Sequence, residues 1–323
     1  MFVKPDTEGW PQTLADEVLE QAPEWFPFAP RGSRVDPNAP KIKFTINRKV
    51  DVWAENLEEL YEKAKREQWN ASLDVPWNSM ARLPEDVERA ISQVMTFLAE
   101  NEYIALYLPA KFLPQINPYY SEVVKFLSTQ LVDEARHVEA FVKRAILGAG
   151  LQNVSAATQH ALKSLMDVDD YVKAKFLLNI LGEGTFDDLF TLLIKITPDP
   201  VCRRLFELAK RDEARHVAYG IRRTQYQLRK VPSLGKRLLE AIEERANYLF
   251  AVAGADPFVT EALAILAGGG SDPRQLEAGM KVLAQHHQYM HEMRVERLRL
   301  CGFDRETAEK ISALHSSAVK SFM

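Results

Sequence analysis

The chain has 323 residues, of which 46% are hydrophobic and 27% are charged, and its formal net charge is −4. This composition is that of an ordinary globular protein, and the acidic balance argues against a binding surface for nucleic acid or anionic lipid. No uninterrupted apolar run reaches spanning length, and the N-terminus lacks the pattern of a signal peptide. Only two cysteines occur, so we expect a cytoplasmic protein that is not bound to a membrane.

The pattern of residues along the chain divides it into three regions. Residues 1–50 contain seven prolines and little periodicity, which favours an arm that lies on a core. From residue 51 the pattern is helical, and no alternating β-branched runs are bounded by turn residues. We therefore expect an all-α fold with a helical bundle over 51–255 and further helices packed on it over 256–323.

Prolines and glycines mark the ends of the predicted helices. Pro84 and Pro118 suit a first helical turn, whereas Pro114 and Gly148 end helices, and Pro109 should kink the helix that contains it. The predicted helices in chain order cover approximately 51–68, 84–112, 117–148, 155–166, 169–196, 200–228, 233–252, 274–300 and 304–321.

Two segments of the chain nearly repeat each other. Both read Asp-Glu-Ala-Arg-His-Val, the first over 133–138 and the second over 212–217. In each segment a Glu and a His are three positions apart, so both side chains project from one face of a helix. Two such helices, which here carry Glu134 with His137 and Glu213 with His216, are typical of bundles that bind two metal ions.

A dinuclear bundle site also requires one carboxylate from each of two other helices. On the second predicted helix Glu102 continues the apolar stripe, and Glu100 lies about 200° around the helix from it. On the fifth predicted helix Glu183 follows an apolar run. A buried carboxylate is costly unless a partner or metal compensates it. We therefore expect a Glu4His2 site that suits two iron or manganese ions.

Glu183 stands between Gly182 and Gly184. Glycine within a helix costs about 0.5–1 kcal/mol, so this pair requires an explanation. One possibility is a close approach of backbones between helices. The other is a π-bulge that lets the carboxylate shift.

The repeated Asp-Glu-x-Arg-His pattern, together with Glu102-Tyr103, resembles the hydroxylase subunits of the soluble diiron monooxygenases. More broadly it resembles the ferritin-like diiron oxidases and oxygenases, which include ribonucleotide reductase small subunits, acyl carrier protein desaturases and amine N-oxygenases. The resemblance covers about 85–220. It implies a ferritin-like four-helix bundle with additional helices, two Fe ions or a Mn/Fe pair as cofactor, and O2 as co-substrate.

The resemblance also assigns roles to residues, and the metal ligands it implies are Glu102, Glu134, His137, Glu183, Glu213 and His216. Asp133 and Asp212 become acceptors for the second ring N–H of the ligand histidines, crossed between the two halves, which would fix the imidazole tautomer. Arg136 and Arg215 would then neutralise these aspartates; the alternative is solvated surface charge.

Three positions depart from particular subfamilies. Phe141 stands where reductase small subunits usually have their radical tyrosine, and Ala209 stands where the best-known amine N-oxygenases have an extra histidine. Asp187 replaces a threonine of the multicomponent monooxygenases. Asp187 is a candidate catalytic residue, as a proton relay or a seventh ligand, and the alternative is a salt bridge to a neighbouring helix.

Small residues and aromatic residues near the predicted ligands give two weaker expectations. Ala105, Ala209 and Gly220 lie one turn from ligands and should open space for a substrate. Trp69 and Trp77 flank a loop before the first ligand helix, and packing against the bundle is the expected role.

We expect a diiron-dependent monooxygenase that hydroxylates or N-oxygenates a small organic substrate. An acyl desaturase or a radical generator like the reductase small subunits is the alternative. A ferroxidase or iron store comes last, because about 50 residues precede the helices and about 100 follow the region of resemblance, which ends near residue 220. Two cysteines cannot ligate an iron–sulfur cluster alone, so electrons should come from an external donor such as a ferredoxin or flavin reductase. We expect a homodimer without a nucleic-acid partner.

Overall fold

The computed structural model describes residues 18–252 and 256–318, and regular structure within these ranges is helical. Strand pairing in the same ranges is limited to isolated β-bridges. The α-helices are α1 (Lys49–Val52), α2 (Leu57–Arg66), α3 (Glu85–Phe112), α4 (Ser121–Leu147), α5 (Ala156–Met166), α6 (Tyr171–Lys175), α7 (Glu183–Ile196), α8 (Pro200–Lys230), α9 (Leu234–Val252), α10 (Pro257–Gly268), α11 (Pro273–Cys301) and α12 (Arg305–Ala318). A π-helix, Phe176–Gly182, joins α6 to α7.

Four long helical segments form the central bundle: α3, α4, the continuous segment 171–196 and α8. Their buried apolar side chains divide into two large clusters. In every one of the four segments, one cluster takes the residues before a short polar stretch and the other cluster takes the residues after it. The four polar stretches therefore form one layer between two apolar layers, and the candidate ligands belong to this layer.

The described part of the N-terminal arm lies against the beginning of α4. The hydroxyl of Tyr120 donates to the backbone oxygen of Asn47 at 2.8 Å and accepts from the backbone nitrogen of Ala22 at 3.0 Å. Arg31 forms a 2.5 Å salt bridge with Glu122. Residues 1–17 of the predicted arm lie outside the described residues.

The C-terminal helices pack on the bundle. Helix α10 contacts α3, helix α11 contacts α7 and α8, and α12 contacts α9 and α11. Arg297 on α11 donates to both carboxylate oxygens of Asp188 on α7, at 3.0 and 2.6 Å. Such a two-pronged, buried ion pair fixes α11 against the helix that carries Glu183.

The predicted continuous helix over 51–68 is wrong. Trp53 has extended backbone, with φ −80° and ψ 142°, and it separates α1 from α2. Val52 and Ala54 are both fully buried. A helix turns by about 200° over two residues and could not bury both against one core, whereas extended backbone can. Helix α3 continues through Pro109 to Phe112.

Among the described residues, no single helix combines the length and the apolarity that a membrane span requires.

Candidate metal centre

The structure brings the six predicted ligands together in the polar layer of the bundle. Their ligand atoms form two overlapping groups, in each of which all atoms lie within 4.8 Å of one another. The first group contains Glu102 and His137, the second contains Glu183 and His216, and Glu134 and Glu213 belong to both. All six side chains are buried. Two groups that share two carboxylates have the form of a dinuclear site.

Glu134 and Glu213 lie between the two histidines. Glu134 Oε2 is 3.3 Å from His137 Nδ1, and Glu134 Oε1 is 3.1 Å from His216 Nδ1. Glu213 reaches the same two nitrogens at 3.5 and 3.6 Å. Each carboxylate can therefore serve both positions, while Glu102, 3.5 Å from His137 Nδ1, serves only the first.

The atoms that face the centre have no hydrogen-bond partners among the described residues. These atoms are both oxygens of Glu134, Oε2 of Glu213, and Nδ1 of His137 and of His216. Buried polar atoms are normally hydrogen-bonded, because an unsatisfied one costs about 1–3 kcal/mol. Five converging lone-pair donors of this kind fit a pair of divalent cations, and the oxygen-rich set with two imidazoles suits iron or manganese.

The pKa values of the two histidines are raised. Burial lowers the pKa of His137, but the charge of Glu102 and the hydrogen bond to Asp212 outweigh it and raise this pKa well above its usual value. The pKa of His216 is raised in the same way against the effect of burial. Without a metal, the centre therefore holds protons where cations would bind.

Burial raises the pKa of Glu102, and it raises the pKa of Glu183 to about 8. Neighbouring carboxylates add to both shifts, Glu134 and Glu213 among them. Glu134 behaves oppositely: burial raises its pKa, but the two histidines outweigh burial and lower it. The positive charge in this buried layer is therefore too small to balance four carboxylates, and such an imbalance favours the binding of cations.

The far ring nitrogens of the histidines contact aspartates in a crossed arrangement. His137 Nε2 lies 3.2 Å from Asp212, and His216 Nε2 lies 3.2 Å from Asp133. Each histidine therefore contacts the aspartate of the other Asp-Glu-Ala-Arg-His segment, which is the crossed pairing that the resemblance implied. With Nε2–H donated to a carboxylate, Nδ1 is the nitrogen directed at the metal position, and it would give up its proton when a metal binds.

Arg136 and Arg215 are buried between the same two aspartates. Arg215 donates to Asp133 at 2.9 Å and to Asp212 at 2.6 Å. Arg136 donates to Asp212 at 2.9 Å and also to Asp133. Two guanidinium groups balance two carboxylates here, so the predicted neutralising contacts are present and the alternative of solvated surface charge does not describe them.

Trp69 contacts this network, a contact that was not predicted from the sequence. Its indole nitrogen donates to Asp212 at 2.6 Å. Its ring stacks on His137 with 6.2 Å between centroids, and the Arg136 guanidinium lies 4.8 Å from the ring centroid. Trp69 does pack against the bundle as expected, but its hydrogen bond also helps to hold the aspartate that supports His137.

Glu183 follows the π-helix directly. Of the two explanations for its neighbouring glycines, the irregular helix applies to Gly182 and the close approach of another helix applies to Gly184. The π-helix ends at Gly182, so the backbone is irregular where the carboxylate is presented. A methyl group on Gly184 would lie 2.6 Å from Nε of Arg297, so this glycine permits a close approach by α11. π-Helical turns are rare in proteins, and those that occur are often at functional sites.

Two amides hold the carboxylate of Glu183. Gln130 Nε2 donates to Oε1 at 2.6 Å, and Asn179 Nδ2 donates to Oε2. The fully buried ammonium of Lys175 donates to Oε1 of Gln130 at 2.9 Å, and burial lowers the pKa of this lysine to about 8. Lys175 and Asn179 are not among the residues predicted from the sequence, although a lysine that begins an apolar helical stripe is an available signal.

Two residues with other predicted roles, Asp187 and Gly220, do not have the surroundings that those roles require. Asp187 is outside both groups of ligand atoms and forms a 2.8 Å salt bridge with Lys210, so the structure gives it the alternative role and offers no support for a proton relay or seventh ligand. Gly220 opens no space, because a methyl group there would lie 2.7 Å from Cβ of Asn179. It permits close packing of α8 against the π-helix.

No family model matches the sequence, and no curated protein matches it. Among solved structures, the chain is similar to a glycine-to-leucine mutant of an R2-like ligand-binding oxidase with an aerobically reconstituted Fe/Fe cofactor. The TM-score is 0.59, the sequence identity is 19%, and the alignment covers 78% of this chain and 95% of that chain. A glycine-to-phenylalanine mutant with a Mn/Fe cofactor is 21% identical over the same shares, with a TM-score of 0.48.

The chain has the ferritin-like fold of an R2-like ligand-binding oxidase. The expectation of an all-α, ferritin-like fold with additional helices is thereby confirmed. The R2-like oxidase in that comparison has an Fe/Fe cofactor, and this chain, with the same fold, has six buried Glu and His side chains that fit two metal ions. The fit rests on the side chains of this chain, independently of the comparison.

Proposed function

We propose that this chain is an oxidase that binds two metal ions, Fe/Fe or Mn/Fe, and uses O2 as co-substrate. The observation that carries the proposal is the convergence of six buried ligands, Glu102, Glu134, His137, Glu183, Glu213 and His216. Five of their atoms, on Glu134, Glu213 and the two histidines, have no hydrogen-bond partner among the described residues. When bound, such a metal pair supplies the electrons that reduce O2. The fold similarity to an R2-like oxidase supports the same class.

The protein's own residues perform two tasks in this proposal. Asp133 and Asp212 hold the histidine rings in the tautomer that leaves Nδ1 free for a metal. The two apolar layers keep water away from the ligands, which strengthens every electrostatic interaction within the centre. Because the ligands come from four packed helices, their positions are fixed before a metal binds.

We further propose that the organic substrate is small and that the reaction is hydroxylation or N-oxygenation. The apolar layer beside the first metal position supports an apolar substrate: the ring of Phe141 lies 6.1 Å from that of His137, and Phe190 lies 6.2 Å from Phe141. Phe141 also weighs against a radical generator, because it has no phenolic hydroxyl to oxidise. An acyl desaturase remains the second candidate, since the same apolar layer suits an acyl chain.

External partners complete the proposal. Both cysteines are free and buried, so this chain offers no thiol pair of its own to deliver electrons. We propose a ferredoxin or flavin reductase as electron donor, a homodimeric assembly, and a cytoplasmic location.

The test is an anaerobic titration with Fe²⁺ followed by exposure to O2. We expect about two Fe per chain, with O2 uptake that stops once these ions are oxidised. Glu134→Ala should lose the binding of two Fe and the O2 uptake, because Glu134 belongs to both groups of ligand atoms. Glu139→Ala on the exposed face of α4 should behave as the parent protein. A parent protein without O2 reactivity would contradict the proposal, and uptake that continues with excess Fe²⁺ would indicate iron storage.

A further inference from the structure

Lys175 is a buried cation close to the candidate metal centre. Its side chain is fully buried at the end of α6, and its ammonium donates to Gln130 Oε1 at 2.9 Å. The ring of Tyr219 lies 5.9 Å from the same ammonium. Among the described residues, no carboxylate forms a salt bridge with Lys175. A buried lysine without a carboxylate partner is unusual, because removing an ammonium from water is costly.

Gln130 connects Lys175 to one ligand only. An ammonium can only donate, so the amide oxygen of Gln130 must face Lys175 and its NH2 group must face Glu183. That NH2 group donates to Glu183 Oε1 at 2.6 Å, and Asn179 donates to the second oxygen. Lys175 thus fixes the orientation of the amide that holds Glu183.

The two metal positions consequently have different surroundings. Glu183 and His216 belong to the second position, which has Lys175 behind its carboxylate. Glu102 and His137 belong to the first position, where the Glu102 carboxylate lies 3.5 Å from His137 Nδ1. A fixed positive charge weakens the binding of a second cation nearby, and it does so strongly in a buried site of low dielectric.

We propose that Lys175 makes the position of Glu183 and His216 the weaker of the two, so that the first divalent ion binds with Glu102 and His137. Lys175 is a positioning residue in this proposal: it acts through its charge and through Gln130, and it touches no metal ion. The inference rests on the proposed dinuclear site, and it adds an order of loading and a cause for that order.

Anaerobic titration with Mn²⁺ tests the charge directly. The parent protein should bind two ions in two resolved steps. Lys175→Met removes the charge at similar length and should tighten the second step by about tenfold or more while the first step changes little. Lys175→Arg retains the charge and should keep the parental difference between the steps. Lys173→Met, a partly exposed position on the same helix, should also leave both steps unchanged.

The outcomes separate this inference from the proposed function. A parent protein that binds fewer than two ions would overturn both. Two ions in the parent with an unchanged second step in Lys175→Met, or with both steps shifted equally, would overturn the role of Lys175 alone.

A second measurement needs no variant and therefore does not depend on how Lys175→Met folds. Crystals of the parent protein with one equivalent of Mn²⁺ should show anomalous scattering at the Glu102 and His137 position. Scattering at the Glu183 and His216 position would overturn the proposed order.

Discussion

Glu100 and Glu102 are two residues apart on α3, but only Glu102 faces the other ligands. Glu102 is buried within the first group of ligand atoms, whereas Glu100 accepts a hydrogen bond from Gln159 at 2.8 Å on the outer side of the helix. Residues two apart are separated by about 200° on a helix, so the two carboxylates cannot share a site.

We therefore expect Glu102→Ala to bind one ion per chain, because Glu134, Glu183, Glu213 and His216 remain as a complete second group. Glu100→Ala should still bind two. Metal analysis of both purified variants after loading with Fe²⁺ measures the difference. If Glu100→Ala loses an ion and Glu102→Ala does not, the wrong face of α3 has been assigned.

At the scale of single residues, the sequence predicted which carboxylates and histidines converge, and the resemblance predicted the aspartates and arginines behind the histidines. Spacing alone identified the two Glu and His pairs, because three positions on a helix define a common face. Lys175, Asn179 and the hydrogen bond of Trp69 were missed. Their partners are distant in the sequence. The place of Lys175 at the start of an apolar stripe is a local signal of burial, but it does not indicate that the acceptor is an amide on another helix.

At the scale of elements, the contact between α8 and the π-helix positions Glu183. A methyl group on Gly220 of α8 would lie 2.7 Å from Cβ of Asn179 and 3.0 Å from Cδ1 of Ile180. Asn179 in turn donates to Glu183. Close packing at this glycine therefore determines how the carboxylate is presented.

Gly220→Ala should destabilise the protein by about 1–3 kcal/mol, because a methyl group must displace the π-helix. Equilibrium unfolding in urea measures this free energy. Gly235→Ala is the matched control on α9, since its new methyl group meets only ordinary contacts at 3.6 Å. Equal stability of the parent and Gly220→Ala would show that α8 and the π-helix adjust without strain.

Helix ends were predicted best where proline or an N-terminal capping residue marks them. Asp199 caps α8 by accepting from the backbone nitrogens of Val201 and Cys202, and Pro200 begins that helix as expected. The break at Trp53 and the π-helix were not predictable in the same way. Both depend on which side chains the finished core buries, and that is a property of tertiary packing.

At the scale of the whole molecule, a polar layer with excess negative charge lies between two apolar layers. Its raised pKa values link stability to pH. A group whose pKa is higher in the folded than in the unfolded chain stabilises the fold at low pH, and this contribution is lost as pH rises through the folded value. His137, His216 and Glu183, the last with a pKa of about 8, are such groups.

The metal-free protein should therefore lose stability between about pH 6.5 and 8, by about 1.4 kcal/mol per pH unit for each proton involved. Histidines with a lowered pKa, such as His286 and His315, change the free energy of unfolding only below this window, where the unfolded chain takes up their protons. Urea unfolding across the window measures the slope. Mn²⁺ displaces the protons, so the stabilisation that it adds should increase with pH. A rise in metal-free stability over the window would contradict the expected direction.

The crossed contacts of the histidines and aspartates have a consequence for the order in which the centre can mature during synthesis. A nascent chain that ends after α7 already contains Glu102, Glu134, His137 and Glu183, but it lacks Asp212 to hold the ring of His137. The second segment likewise cannot orient His216 without Asp133. We therefore expect each half of the bundle to bind metal weakly by itself, and capture of metal to follow the docking of α8 against α4.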